Sequence, residues 1–185
     1  MRITFVGSVV AALVVSVAAR GQEKAENPFK DAKVGDYVTY KMAVSIRGMD
    51  VEASLKEIVT AKDDKELTLT RVTTPKGKDE VKVHQKIDLT KPHDAVAFFF
   101  RGEKELGKFE KATEGKETIK VGEKSYDCTW IAGKVTSPIG EDEGGEASLK
   151  VWFSKSVPLT GLVKVELKGK NVRTLIEFTG SGHEK

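Results

Sequence analysis

Cysteine is almost missing from this chain: Cys128 is the single thiol in 185 residues, so no internal disulfide can form in any compartment. Histidine is scarce too, and His84, His93 and His183 share no ligand spacing, so no metal site is expected. His93 and the adjacent Asp94, beside an apolar run, are the nearest approach to a functional pair. No Gly-x-Ser-x-Gly, HExxH, Walker or GxGxxG pattern occurs, and the glycines of 180–182 sit where no helix follows to receive a phosphate. No catalytic residue and no cofactor is therefore assigned, and the chain is read as a non-enzyme. The lesser alternative is a secreted hydrolase whose groups come from separate strands. Blocks of one charge are lacking as well: Lys and Glu are interspersed, without the clustered cations that displace phosphate counterions, which excludes nucleic acid as a partner. Finally, no stretch of about twelve residues keeps helical spacing, which disfavours parallel βαβ architectures.

What is present begins with a leader. Met1 and Arg2 give a short basic start, Ile3 to Ala19 runs without a charge, and Val17, Ala18 and Ala19 are small enough for a signal peptidase. The run sits at the lower edge of what crosses a bilayer, but Ala, Gly and Ser dilute it, so a removed signal peptide over 1–21 is expected rather than an anchor. Cleavage after Ala19 and cleavage after Gly21 are both compatible. No cysteine lies near either site to be acylated, so no stable membrane anchor is expected after cleavage, and the product is expected to be exported, to the periplasm or the medium. Removal takes Arg2 and Arg20 and no acid, lowering the formal charge of +3 by two. The remaining chain is one domain's worth, large enough to bury about 70% of its unfolded surface without staples.

Residues 22–33 are polar, contain Pro28 and show no period, which reads as an arm ahead of the fold. From 34 the pattern changes. Val38, Tyr40, Met42, Val44 and Ile46 alternate with polar neighbours, the two-residue period of a strand with one buried face. A turn at 48–50, a strand over 51–61, a turn at 62–65 and a strand over 67–73 follow, then a turn at 75–78 and a strand over 81–89 with His84 on its polar side. Residues 95–100 are continuously apolar, and periodicity does not separate a buried strand from a helical turn. Segments 109–113, 117–121, 126–136, 146–154, 161–169 and 172–179 repeat the habit. The expected fold is all-β, an antiparallel meander of about nine to eleven strands curled into a barrel or half-barrel over 34–180, with little helix and a flexible tail at 181–185. One pentapeptide, EASLK, occurs twice, at 52–56 and 146–150, as an old duplication or as convergence of two similar strands.

The side chains that stand out have plain readings beside functional ones. Cys128 alternates with Tyr126 and Trp130, so burial as a small hydrophobe is expected rather than a reactive thiol. The acidic segment 140–146 lacks the ligand pattern of an EF-hand and reads as a hairpin loop. Trp152 and Phe153 are adjacent, so on a strand they face opposite sides, and the same holds within Phe98, Phe99 and Phe100. Rings on both faces suit a sheet with one face on a core and the other under a loop or an apolar ligand. Phe98, Phe99, Phe100 and Trp152 are therefore the candidate ligand-binding residues.

Residues 150–164, KVWFSKSVPLTGLVK, preceded by 122–130, GEKSYDCTW, resemble a recurrent arrangement in small exported bacterial proteins, in which a Trp-x-Ser step leads through a Val-Pro turn into a Val-Lys-x-Glu strand. At greater distance the arrangement is similar to the half-barrel of periplasmic lipoprotein carriers. That resemblance implies a curved antiparallel sheet able to shelter acyl chains. The expectation is thus an exported, non-enzymatic binding protein of the cell envelope with an apolar or lipid-like ligand, or alternatively a structural or interaction module that meets another envelope protein.

Overall fold

The computed structural model describes residues 27–93, 109–136 and 146–185. The leader, residues 94–108 with Phe98, Phe99 and Phe100, and most of the acidic loop lie outside the described residues. Nine strands form one antiparallel sheet: β1 (Asp36–Ile46), β2 (Met49–Lys62), β3 (Glu66–Pro75), β4 (Val81–Asp88), β5 (Phe109–Val121), β6 (Lys124–Thr136), β7 (Glu146–Phe153), β8 (Leu162–Lys168) and β9 (Val172–His183). The order across the sheet is β4-β3-β2-β1-β9-β8-β7-β6-β5. The chain meanders from the centre out to β4, crosses to the opposite edge at β5, and meanders back until β9 pairs with β1. No helix occurs among the described residues. The sheet is open at β4 and β5 and curls into a half-barrel: Tyr126 of β6 and Phe178 of β9, three places apart in the order, meet edge to face at 5.8 Å.

Alternation sets which face turns inward, because side chains directly opposite on paired strands share a side. Tyr40 lies opposite Leu55 and Phe178; Met42 lies opposite Ala53 and Ile176, and that row continues through Val165 and Val151. Tyr40, Leu55, Val165 and Val151 are all at most 4% exposed. The β1–β2 hairpin reverses through Arg47 and Gly48, both at positive φ (51° and 81°), the two-residue connection whose twist suits a hairpin. At the next reversal Asp63 does the work, its Oδ1 accepting from the amides of Lys65 and Glu66 at 2.8 Å each.

Three boundaries differ from the sequence reading. The segments 109–113 and 117–121 are one strand, β5, because Gly115 does not turn the chain; a Cβ there would sit 2.7 Å from the Trp130 ring directly opposite, so glycine makes room for indole. Residues 27–33 are not a free arm. Asn27 is buried, its amide donates to the carbonyls of Asp88 (3.2 Å) and Lys91 (3.1 Å), and Phe29 enters the core with no exposed surface. That ring plugs the end of the half-barrel where β4 finishes, and burying it contributes about 1.5–3 kcal/mol. The tail is likewise tied: β9 runs to His183, which lies opposite Asp36, and the amide of Glu184 donates to Gly35 O at 2.9 Å.

Candidate functional site

The inner face of β1–β4 is largely apolar, and its far end is uncovered among the described residues. Ala53 and Leu55 are buried, but Val51 and Met49, continuing the same side of β2, are 45% and 68% exposed. On the edge strand, Val81 and Val83 lie opposite Thr73 and Arg71, which places them on the inner side as well, at 57% and 52% exposure. Ile87, further down the same side of β4, is buried. The core row therefore runs out into a rim of four exposed apolar side chains.

Set into this wall is an ion pair. Glu57 follows Leu55 inward on β2, and Arg71 lies directly opposite it on β3. The guanidinium Nε (3.0 Å) and Nη2 (2.7 Å) both donate to Glu57 Oε1. The Glu57 side chain is fully buried, Arg71 is 19% exposed, and Glu57 Oε2 is buried with no hydrogen-bond partner among the described residues. Burial pushes the Glu57 carboxyl above its ordinary range, against the opposing pull of Arg71. Tyr40 stands beside the pair, its hydroxyl 3.1 Å from Thr160 Oγ1, and burial, reinforced by the Glu57 charge, keeps the phenol neutral.

At the plugged end, the segment 154–161 closes over the sheet beside a cavity of about 1520 Å³. Cys128, Phe153, Val157 and Leu159 give it an apolar floor, and Asp31 and Ser156 stand among its polar lining. Leu159 holds a left-handed conformation (φ 60°), strained for a residue with a side chain, and it is nevertheless buried.

Trp152 sits on the other side of the sheet. It lies opposite Trp130 and Lys164, and Lys164 lies opposite Glu177, the row that faces away from Tyr40. Trp152 is only 5% exposed: the ammonium groups of Lys150 and Lys164 lie 4.6 and 5.5 Å from its ring centre, and its Nε1 donates to Glu117 Oε1. As folded, it offers a ligand almost no surface. Phe153 takes the opposite side and packs against the core at the cavity. Cys128 is buried, its Sγ donating to Tyr126 O at 3.4 Å, and burial raises the thiol above its usual range. The histidines do not converge. His84 Nδ1 is 2.9 Å from Thr70 Oγ1, His93 packs edge to face on Phe29 at 5.0 Å, and His183 Nδ1 meets Asp36 Oδ1 at 2.8 Å. Among the described residues no group of three or more His, Cys, Asp or Glu side chains is placed to hold a metal ion.

The sequence reading missed Glu57 and Arg71. The signal was there: Glu57 falls between Leu55 and Val59 in an inward-facing series, and Arg71 between Leu69 and Thr73. A charge that keeps the parity of an apolar series marks a buried polar group.

No protein-family profile matches the chain, and no curated protein sequence matches it. Among solved structures, a Bacteroides fragilis protein described as exported and of YmcC-like fold is 10% identical with a TM-score of 0.51, covering 81% of this chain and 96% of that one. The fold is therefore shared with that protein. A protein of Parabacteroides distasonis described as a lipoprotein is 13% identical over the same shares, 81% and 96%, with a TM-score of 0.49. A LolA superfamily protein of Nitrosomonas europaea is 6% identical over 86% of this chain and 91% of that one, with a TM-score of 0.28.

Proposed function

We propose that this is an exported, non-enzymatic binding protein of the cell envelope that holds an apolar, lipid-like ligand against the inner face of its half-barrel, after removal of a signal peptide over residues 1–21. The observation that carries the reading is the uncovered rim of Met49, Val51, Val81 and Val83, continuous with the buried core row. Exposed apolar side chains along the inner face leave water in contact with surface that a hydrocarbon chain would cover, at about 25 cal/mol per Å². The charged groups of β4, Lys82, Lys86 and Asp88, lie on the other side of that strand, which leaves Val81, Val83, Gln85 and Ile87 inward and discourages edge-to-edge pairing. Export is supported by the leader and by the shared fold of a protein described as exported.

The test is native mass spectrometry of the protein recovered from its own host compartment, followed by solvent extraction. The reading expects a chain beginning at Arg20 or Gln22 and carrying an extractable apolar adduct. A bare mass that takes up no lipid on incubation sinks the carrier reading. A stoichiometric protein adduct in its place would instead favour an interaction module.

A further inference from the structure

Between Val59 and the rim, the inner side of β1–β4 carries two charged side chains, Glu57 and Arg71. Such a pair is a poor device for holding a wall together, because two desolvated charges gain little over apolar side chains of similar size. On the glutamate side this one is also incomplete: Nε and Nη2 of Arg71 close on one oxygen, and the other oxygen is buried without a donor among the described residues. Its position is more telling. Arg71 lies between fully buried Glu57 and half-exposed Val83, at the foot of the apolar rim and with part of its own side chain accessible.

Resting on the apolar-ligand reading above, we propose that the ligand is a single-chain amphiphile with a carboxylate headgroup, a long-chain fatty acid, and that the Glu57–Arg71 pair is its headgroup anchor. A guanidinium presents a planar fork of donors that matches a carboxylate and attracts it most strongly where water is excluded. A cationic headgroup would meet Arg71 first and be repelled. The hydrocarbon chain then runs over Val83 and Val81 toward Val51 and Met49. From Glu57 to Met49 the strand spans about 26 Å, room for an extended long acyl chain.

A second carboxylate on one guanidinium brings two negative charges together in an apolar wall, and one of them takes up a proton from solvent. Glu57 is the group to take it, since burial already favours its neutral form and its Oε2 is unpartnered. The groups facing it are Arg71 on β3 and the hydroxyl of Tyr40 on β1, which burial keeps neutral. Carboxylate binding is therefore tighter where Glu57 is protonated and weakens as pH rises, whereas binding of an uncharged ester does not change.

Fluorescence titration with cis-parinaric acid and its methyl ester between about pH 5 and pH 8 tests this. Wild-type protein binds the acid roughly tenfold more tightly than the ester at the acid end, an advantage that shrinks with rising pH. Glu57→Gln keeps the preference and loses its pH dependence. The double variant Glu57→Leu/Arg71→Met, apolar throughout and so expected to fold, keeps ester binding and loses the preference. An unchanged preference in the folded double variant overturns the anchor. Equal binding of acid and ester by wild type overturns it too but leaves the apolar reading standing, whereas binding of neither probe overturns both.

Discussion

Strands β2 and β7 both contain the five residues EASLK and place them alike: Ala53 and Ala147, Leu55 and Leu149 are buried, while the Glu and Ser of each are exposed. Each strand stands third from an edge of the sheet. Even the lysines behave alike. Lys56 Nζ lies 4.5 Å from the Tyr37 ring centre and pairs with Glu184; Lys150 Nζ lies 4.3 Å from that of Trp130 and 2.8 Å from Glu117 Oε1. The strands part company at the next inward position. In β7 it is Val151, packed in a row with Val165 and Ile131; in β2 it is Glu57, held by Arg71. Identical local patterns thus built two walls of one half-barrel, and a single inward residue made one wall an apolar core and the other a core with a polar socket beneath an uncovered rim.

Exchanging the walls breaks the comparison most severely in one direction. Val151→Glu puts a carboxylate at the β2 position without an arginine opposite, an unpaired buried charge, and is expected to lower the unfolding free energy by more than about 4 kcal/mol in urea titration. Removing the partner from the existing socket comes next: Arg71→Met leaves Glu57 buried alone and should cost about 3–5 kcal/mol. Making β2 resemble β7, by Glu57→Val with Arg71→Met, removes both charges and should leave the urea midpoint at or above that of wild type. If the double variant is as unstable as Arg71→Met, the socket holds the sheet together and the ligand argument loses its physical basis.

Glu57 and Glu117, each held by a cation, should respond to pH in opposite directions. Glu57 is raised by burial, so its folded form keeps a proton that the unfolded chain gives up; the stability this represents is full below the ordinary glutamate value of about 4.5 and is lost as pH rises through the folded value. Glu117 is lowered by hydrogen bonds from Lys150 and the Trp152 indole, so its contribution is present above about 4.5 and lost as pH falls. Stability measured against pH for Glu57→Gln and Glu117→Gln should diverge from wild type on opposite sides of that value; divergence on the same side contradicts the burial argument. The smallest effect belongs to the lysines. Lys56→Ala loses one ring contact and an ion pair and Lys150→Ala two ring contacts and an ion pair, about 0.5–1 kcal/mol apiece in urea titration, with the larger loss expected at Lys150.

The meander itself was legible, because period-two alternation and turn chemistry act within a few residues: β1 and the turn at Asp63 follow from local pattern alone. What escaped prediction depends on partners distant in sequence. Phe29 reads as an isolated ring in a polar stretch until the mouth it fills is present. Gly115 reads as a break until Trp130 stands opposite. Trp152 stands out because it and Phe153 must face opposite sides, yet its burial comes from Lys150 on its own strand, Lys164 on β8 and Glu117 on β5. The Glu57–Arg71 pair needed the register of β2 against β3, which places the two opposite one another; neither residue alone says whether its charge faces water.

The central claim is that the inner wall of β1–β4 receives the ligand, and methyl NMR during a palmitate titration tests it most directly. The account predicts progressive shifts at Met49, Val51, Val81 and Val83, with Val163 and Val165 in the closed core unmoved. Shifts confined to Val157 and Leu159 at the plugged end, or none at the rim, would contradict it.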